Sequence, residues 1–164
     1  MKKTYLILIL LIAAGIGGWF FFFRDSDEQR ISKNLNRIIE LAEKRGDESV
    51  FVLIGDSRKI MRQISEFPEI DLGSPLPLIT DREELESAII QFRQSVRSLS
   101  VRVVRSEIRI SESGDRAQME LELMGKGDWL GESGSERRHF TIGWVKEEGD
   151  WLVKTARHHG ALIP

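Results

Sequence analysis

The residues with the clearest chemical potential are three histidines, all inside Arg137–Gly160, "RRHFTIGWVKEEGDWLVKTARHHG". Imidazole nitrogens bind metal ions and exchange protons near neutral pH. His139 and His158 fall on two segments of alternating apolarity joined by "EEGD", a tight-turn signal, so a hairpin makes them cross-strand neighbours with Cβ atoms about 5 Å apart. That spacing suits a shared metal ion with His159 as third ligand. The competing assignment, a partly solvated pair that finishes a strand, is favoured because no third ligand is secured and the pair faces away from the apolar side. No metal or other cofactor is therefore expected.

Centring the same turn on its middle residues sets Trp144 opposite Val153, Ile142 opposite Thr155 and Phe140 opposite Arg157, with Trp151 on that side. Arg157 and Thr155, joined by Ser106 from the preceding hairpin, become the polar groups aimed inward. Arg157 suits an anionic ligand, or a structural partner for its long stem. Trp144, Trp151 and Phe140 suit an apolar pocket wall, or simply core. Asp115, Glu107, Glu120 and Glu122 point outward or into turns, so the strands supply no inward carboxylate for acid–base chemistry. Asp56 and Asp71 are acids that periodicity does not place. No catalytic residue is assigned, and phosphate-binding glycine patterns, nucleophile elbows and zinc-protease helices are absent.

The elements that must position these groups follow from periodicity. Ile31, Leu35, Ile38 and Ala42 recur at helical spacing over Asp25–Lys44, with Gly46 as C-terminal cap. A second helix runs from about Glu48 to Ser65, broken at "IGDS". "FPEIDLGSPLPLI" is a connecting loop with room for one short edge strand. Thr80 and Glu83 form a capping box for a third helix whose face is Leu85, Ala88, Ile89, Phe92 and Val96. The period then changes to two, giving strands over Leu99–Ser111, Arg116–Gly125, Arg137–Lys146 and Trp151–His158. Turns at "ESGD" and "EEGD" make an antiparallel meander. In its first hairpin Ile110 faces Ala117, Ile108 faces Met119, Ser106 faces Leu121 and Val104 faces Leu123. Arg105 and Glu122 form an ion pair on the reverse face, and a β-bulge near Val103 corrects an upstream change of apolar phase.

The N-terminus addresses location. Lys2 and Lys3 precede an uncharged apolar run, Thr4–Phe23, whose twenty residues span about 30 Å as a helix, a bilayer's hydrocarbon thickness. Tyr5, Trp19 and Phe20–Phe23 suit interfacial belts, and the lysines favour a cytoplasmic N-terminus. The expected arrangement is residues 1–24 as a signal anchor in a bacterial inner membrane and 25–164 as one periplasmic domain. "AAGIGG" also permits a cleaved signal peptide, which would leave "WFFFF" exposed at the mature terminus. Ala14 and Gly18 form a small-xxx-small pair. Formal charge is −2, or −4 without the two lysines, and no basic stripe appears, which argues against a nucleic-acid footprint. The chain has no cysteine, hence no disulfide and no lipoprotein attachment.

Three helices, a long bulged strand and a meander ending in "GDWLVKTARH" resemble the nuclear transport factor 2 superfamily. The match runs over Asp25–His159 in element order and includes a helix ending near "FRQSVRSLSVRV". The resemblance implies an α+β fold in which a curved sheet wraps helices into a cone-shaped pocket. Superfamily enzymes, among them steroid isomerases, scytalone dehydratase, limonene epoxide hydrolase and polyketide cyclases, use acids, tyrosine, histidine or arginine inside that cone. Tyr5, the one tyrosine, lies in the apolar segment, so a tyrosine-based site does not carry over. The expected role is a non-catalytic binding or assembly-adapter domain, comparable in topology with anchored adapters of type IV secretion machinery. The alternative is a tethered enzyme or carrier for an apolar or anionic ligand. Trp129 in "GKGDWLGESGSERR" is an exposed anchor for a partner or a loop residue folded onto the sheet. An outer patch of Thr141, Val145, Leu152 and Ala156 suits homodimerisation.

Overall fold

The computed structural model describes residues 25–73, 76–129 and 132–160, with the side chains of Trp129 and Glu132 left aside. The expected membrane span Thr4–Phe23, its small-residue pair and the anchoring role of Trp129 lie outside the described residues. Among those described, no helix is long and apolar enough to cross a membrane.

Helix α1 is Asp27–Ala42, opened by a capping box in which Ser26 Oγ accepts from Gln29 N–H and Gln29 Oε1 accepts from Ser26 N–H. Ile31 and Leu35 supply its buried face. It ends two residues before the expected Lys44, and Gly46 (φ 132°) belongs to the following turn rather than to a helix cap. Lys44 is drawn inward: its Nζ donates to the carbonyls of Arg93 and Val96 at 2.8 and 2.7 Å, and Lys44–Arg45 forms the short strand β1.

Helix α2, Val50–Met61, starts at Ser49 and continues through Gly55–Ser57 without the expected break. Ser57 is fully buried and its hydroxyl donates to the Ile54 carbonyl inside the helix, which removes the signal for a new cap. The helix stops at Met61, where the Arg82 guanidinium donates to the carbonyls of Met61, Ile64 and Ser65. A cation at a helix C-terminus satisfies orphan carbonyls and complements the dipole. Ile64–Asp71 is strand β2, an edge strand longer than the short one allowed in "FPEIDLGSPLPLI" and beginning before Ser65, where the second helix was expected to end. Pro68 is tolerated because it sits at the irregularity of an edge strand, where no ladder donor is required.

Helix α3, Arg82–Ser95, is capped by Asp81, whose Oδ1 accepts from the N–H groups of Glu83 and Glu84; Thr80 is not the cap. Its buried residues are Leu85 and Arg93, whereas Phe92 is 51% exposed and lies off the core face where it was expected. Arg93 Nη2 holds Glu48 at 2.7 Å and Nη1 approaches Asp56 at 3.5 Å, tying α3 to the start of α2.

Strands β3 (Val96–Ile110), β4 (Arg116–Trp129), β5 (Glu132–Glu147) and β6 (Asp150–His159) form the meander. The sheet order is β1-β3-β4-β5-β6-β2, with β2 parallel to β6 and every other pair antiparallel. The β5–β6 turn places Glu148 and Gly149 at φ 51° and 91°, the positive pair a two-residue hairpin needs. The core between helices and sheet contains Ile31, Leu35, Met61, Leu85, Met119, Leu121, Ile142, Trp144, Trp151 and Val153.

In the first hairpin, Ile110–Ala117, Ile108–Met119, Ser106–Leu121 and Arg105–Glu122 pair as expected. The bulge falls between Val103 and Arg105, so Val103 rather than Val104 faces Leu123, and Val104 is 39% exposed. Glu122 binds Arg137 at 2.9 Å, while Arg105 lies nearest Glu107 at 3.9 Å, so the expected Arg105–Glu122 ion pair is not formed. In the second hairpin Val145–Leu152 and Trp144–Val153 hold, but a second bulge follows. Lys154 is the extra residue, and beyond it Gly143 faces Thr155, Ile142 faces Ala156, Thr141 faces Arg157 and Phe140 faces His158. A one-residue slip exchanges the faces.

Candidate functional site at the open end of the cone

That slip redistributes the expected site. Arg157 and Thr155 turn outward: the Arg157 side chain is 72% exposed with Asp71 3.8 Å away, and Thr155 lies across Gly143 on the reverse face. Gly143 makes the slip possible, because its missing Cβ is where the Thr155 hydroxyl sits. Ala156 turns inward and leaves the outer patch, where Thr141 now donates to Glu120 and shares a 2.6 Å bond with His159 Nε2. The Gln118 and Thr141 hydrogen bonds hold the Glu120 carboxyl below its ordinary range against the cost of burial. Ser106 keeps its position opposite Leu121 but is exposed. Asp56 serves Arg93 and Lys59 on the helices.

The histidines separate. His139 stands opposite His159 on the outer face, and His158 points inward, only 7% exposed. The proposed His139–His158 pair is thus divided between two faces, and no group of three potential metal ligands exists among the described residues.

The inner face of β5 carries Trp144, Ile142, Phe140, Arg138 and Glu136 in succession, opposite Ala117, Met119, Leu121, Leu123 and Gly125 of β4. At the hairpin end this surface is closed: Trp144 is 2% exposed, and Trp151 and Met119 are fully buried. Trp151 Nε1 donates to Asp27 Oδ1 at 2.9 Å, and Lys146 Nζ reaches both Asp27 oxygens at 3.0 Å. These bonds, the Trp151 one first, hold the Asp27 carboxyl below the usual range. Towards the other end Val101, Val103, Leu123 and Phe140 are half-buried, so the concave surface opens there.

Three polar side chains stand on this part of the concave face. Arg138 Nη2 meets Glu136 Oε1 at 2.5 Å, and Arg138 Nη1 lies 3.3 Å from His158 Nε2. Guanidinium only donates, so Nε2 accepts and the proton of the neutral imidazole resides on Nδ1. His158 packs on Phe140 with ring centroids 5.3 Å apart, and Gly73 approaches so closely that a Cβ there would lie 3.3 Å from Nδ1. Burial, then the Arg138 charge, push the His158 pKa down, which keeps the ring neutral at pH 7. A neutral imidazole whose acceptor nitrogen is occupied by guanidinium is a poor base. The arrangement holds the Arg138 guanidinium on the concave face beside half-buried Leu123 and Phe140.

Arg138 and Glu136 were legible: two steps back from Phe140 on the same parity reach both. His158 was hidden by the bulge, whose one local signal is a glycine inside a strand.

No family model and no curated protein matches this sequence. Solved structures do. A nuclear transport factor 2-like protein with a cystatin-like fold from Novosphingobium aromaticivorans is 13% identical, with TM-score 0.62 over 80% of each chain. A protein provisionally assigned as a scytalone dehydratase from the same organism is 12% identical, with TM-score 0.67 over 81% of this chain and 83% of that one. The association domain of CaMKII from C. elegans is 13% identical, with TM-score 0.62 over 81% and 95%. At such identities the likeness establishes architecture alone. The described domain has the nuclear transport factor 2-like fold, three helices on a curled six-stranded sheet.

Proposed function

We propose that the chain is a membrane-anchored extracytoplasmic domain, residues 25–164 behind an anchor in 1–24, that binds a small ligand with an apolar body and an anionic head at the open end of its cone, without catalysing a reaction on it. The observation that carries this reading is Arg138, held on the concave face by neutral His158 and Glu136 among half-buried Val103, Leu123 and Phe140. A guanidinium attracts a carboxylate or phosphate through its charge and its N–H donors. Non-catalysis follows from the occupied His158 nitrogen and from a carboxylate, Glu136, already committed to the arginine. The test is native mass spectrometry of the full chain released from detergent micelles, followed by titration with dodecanoate. Saturable binding that Arg138→Gln reduces about tenfold, as loss of a charged hydrogen bond would, supports the reading; binding indifferent to that change removes it.

A second reading, an assembly adapter, draws on the start of α2. Phe51 is 88% exposed, with Val50 and Val52 exposed beside it, a cost in water that contact with another protein would relieve. The association-domain neighbour supports self-association as one form of this role. Phe51→Ser would then disrupt assembly while leaving dodecanoate binding intact.

A further inference from the structure

On the outer face of the sheet, at the end away from the β5–β6 turn, a groove of about 760 Å³ is lined by residues of β1, β3, β4 and β5. Strand register sets Arg45 beside Ser98, and Lys126 between Ser100 and Ser135 in the adjoining row. Two strand spacings and a two-residue step put the Arg45 and Lys126 Cα atoms about 12 Å apart. Two long side chains at that separation close on a single group between them.

The lining holds three bases, Lys44, Arg45 and Lys126, against one acid, Glu43. That acid is engaged: Glu43 Oε1 accepts from Ser100 Oγ at 3.2 Å and from Val101 N–H at 2.9 Å. The side chains of Arg45 and Lys126, and the hydroxyls of Ser98, Ser133 and Ser135, have no partner among the described residues. Lys44 approaches from the inner side of the same floor, beside buried Leu99, and is 8% exposed. Its ammonium donates to two carbonyls and has no carboxylate partner among the described residues. A buried charge is screened much less than a surface one, so Lys44 adds positive potential beneath the floor. Asp128 lies in register between Ser98 and Ser133 without lining the groove, and its Oδ1 is closed to solvent. With Asp128 included, bases still outnumber acids.

We propose that this groove binds the phosphate groups of a soluble ligand. Its surplus is in donors and positive charge, so its ligand brings acceptor oxygens and negative charge. A phosphate group carries up to two negative charges and three acceptor oxygens on one tetrahedral centre. A carboxylate offers one charge and two oxygens in a plane, a poorer match to donors spread over four strands. Helix α1 runs about 24 Å from Asp27 to the end where Glu43 joins the groove. Under the anchor proposed above, the groove is therefore held away from the chain's own bilayer, and only the choice of a soluble source over a lipid headgroup rests on that reading. The groove lies on the opposite face from Arg138, so the two sites stand or fall separately.

The experiment is isothermal titration calorimetry of the full chain in uncharged detergent with tripolyphosphate. Saturable binding is expected with Kd on the order of 0.1 mM, rising with added NaCl as exposed charges are screened. Arg45→Ala and Lys126→Ala, both at exposed positions, should each weaken it about tenfold and leave the unfolding transition in place. Ser135→Glu, also exposed, should abolish it by placing a negative charge in the groove. Arg116→Gln removes an exposed cation from the other end of the outer face and should leave the Kd unchanged, as should Arg138→Gln. The inference is overturned by an absence of binding, or by equal losses in Arg116→Gln and Lys126→Ala, which would mark general attraction to surface charge. Citrate binding as tightly as tripolyphosphate would overturn the phosphate assignment. A Lys126-dependent preference for short-chain phosphatidylglycerol over tripolyphosphate would overturn the soluble source.

Discussion

Gly143→Ala tests the register on which both the candidate site and the outward placement of Arg157 depend. A Cβ at Gly143 would enter the space of the Thr155 hydroxyl, with Thr155 Cβ and Cγ2 also at 3.6 and 3.8 Å. Threonine is stiff at χ1, and in a sheet its rotation swaps hydroxyl for methyl before it offers hydrogen. Overpacking of this kind costs about 1–3 kcal/mol. Thr155→Ala removes the obstructing atoms, and the double substitution should recover most of the loss, a coupling of about 1–2 kcal/mol in a double-mutant cycle. Urea unfolding of the chain from Asp25 onward, followed by tryptophan fluorescence, reads each free energy. In a hairpin without the bulge Thr155 would face Ile142, and positions 143 and 155 would lie on opposite faces. Additive effects of the two substitutions would therefore refute the bulge at Lys154 and the inward placement of His158.

Asp27 has a depressed folded pKa, so its bonds to Trp151 and Lys146 contribute stability above the ordinary carboxylate range that is lost as pH falls through the folded value; Asp27→Asn should flatten the acid limb of stability measured by urea titration below pH 4. His158 has the opposite chemistry and the same slope, since a neutral buried imidazole takes up its proton more readily when unfolded; the stability it contributes should begin to fall below about pH 6.5, and His158→Phe should remove that step. Arg93→Ala, which strands Glu48 and leaves Asp56 to Lys59 alone, should destabilise the domain by about 3–5 kcal/mol in the same assay. If self-association uses the outer face, sedimentation velocity should show a dimer that Val145→Lys dissociates, and a monomer at all concentrations would dismiss that surface.

What the sequence disclosed and what it hid divide along the range of the interactions. Helices α1 and α3 and the four meander strands are written in local period and turn chemistry, and the bulge near Val103 is visible as a change of apolar phase within one strand. Strand β2 is not. It lies beside β6 in parallel, a pairing between residues far apart in the chain, and nothing in "ISEFPEID" announces its partner. The caps at Asp81 rather than Thr80, and the capture of Lys44 by two carbonyls, are choices between neighbouring residues that tertiary contacts decide.

The second bulge is the case with functional consequence. Parity alone made Arg157 the inward cation and His158 a surface residue, and one extra residue, Lys154, reversed both. The residue is held out of line by its own contacts: its Nζ donates to the Phe67 carbonyl and lies 5.7 Å above the Phe67 ring, both on β2. The edge strand whose partner local pattern does not name is thus also the one that anchors the slip. The same long-range pairing that completes the sheet turns Arg157 out of the cone, whereas Arg138 faces inward by its own parity on β5, beyond the reach of the slip in β6.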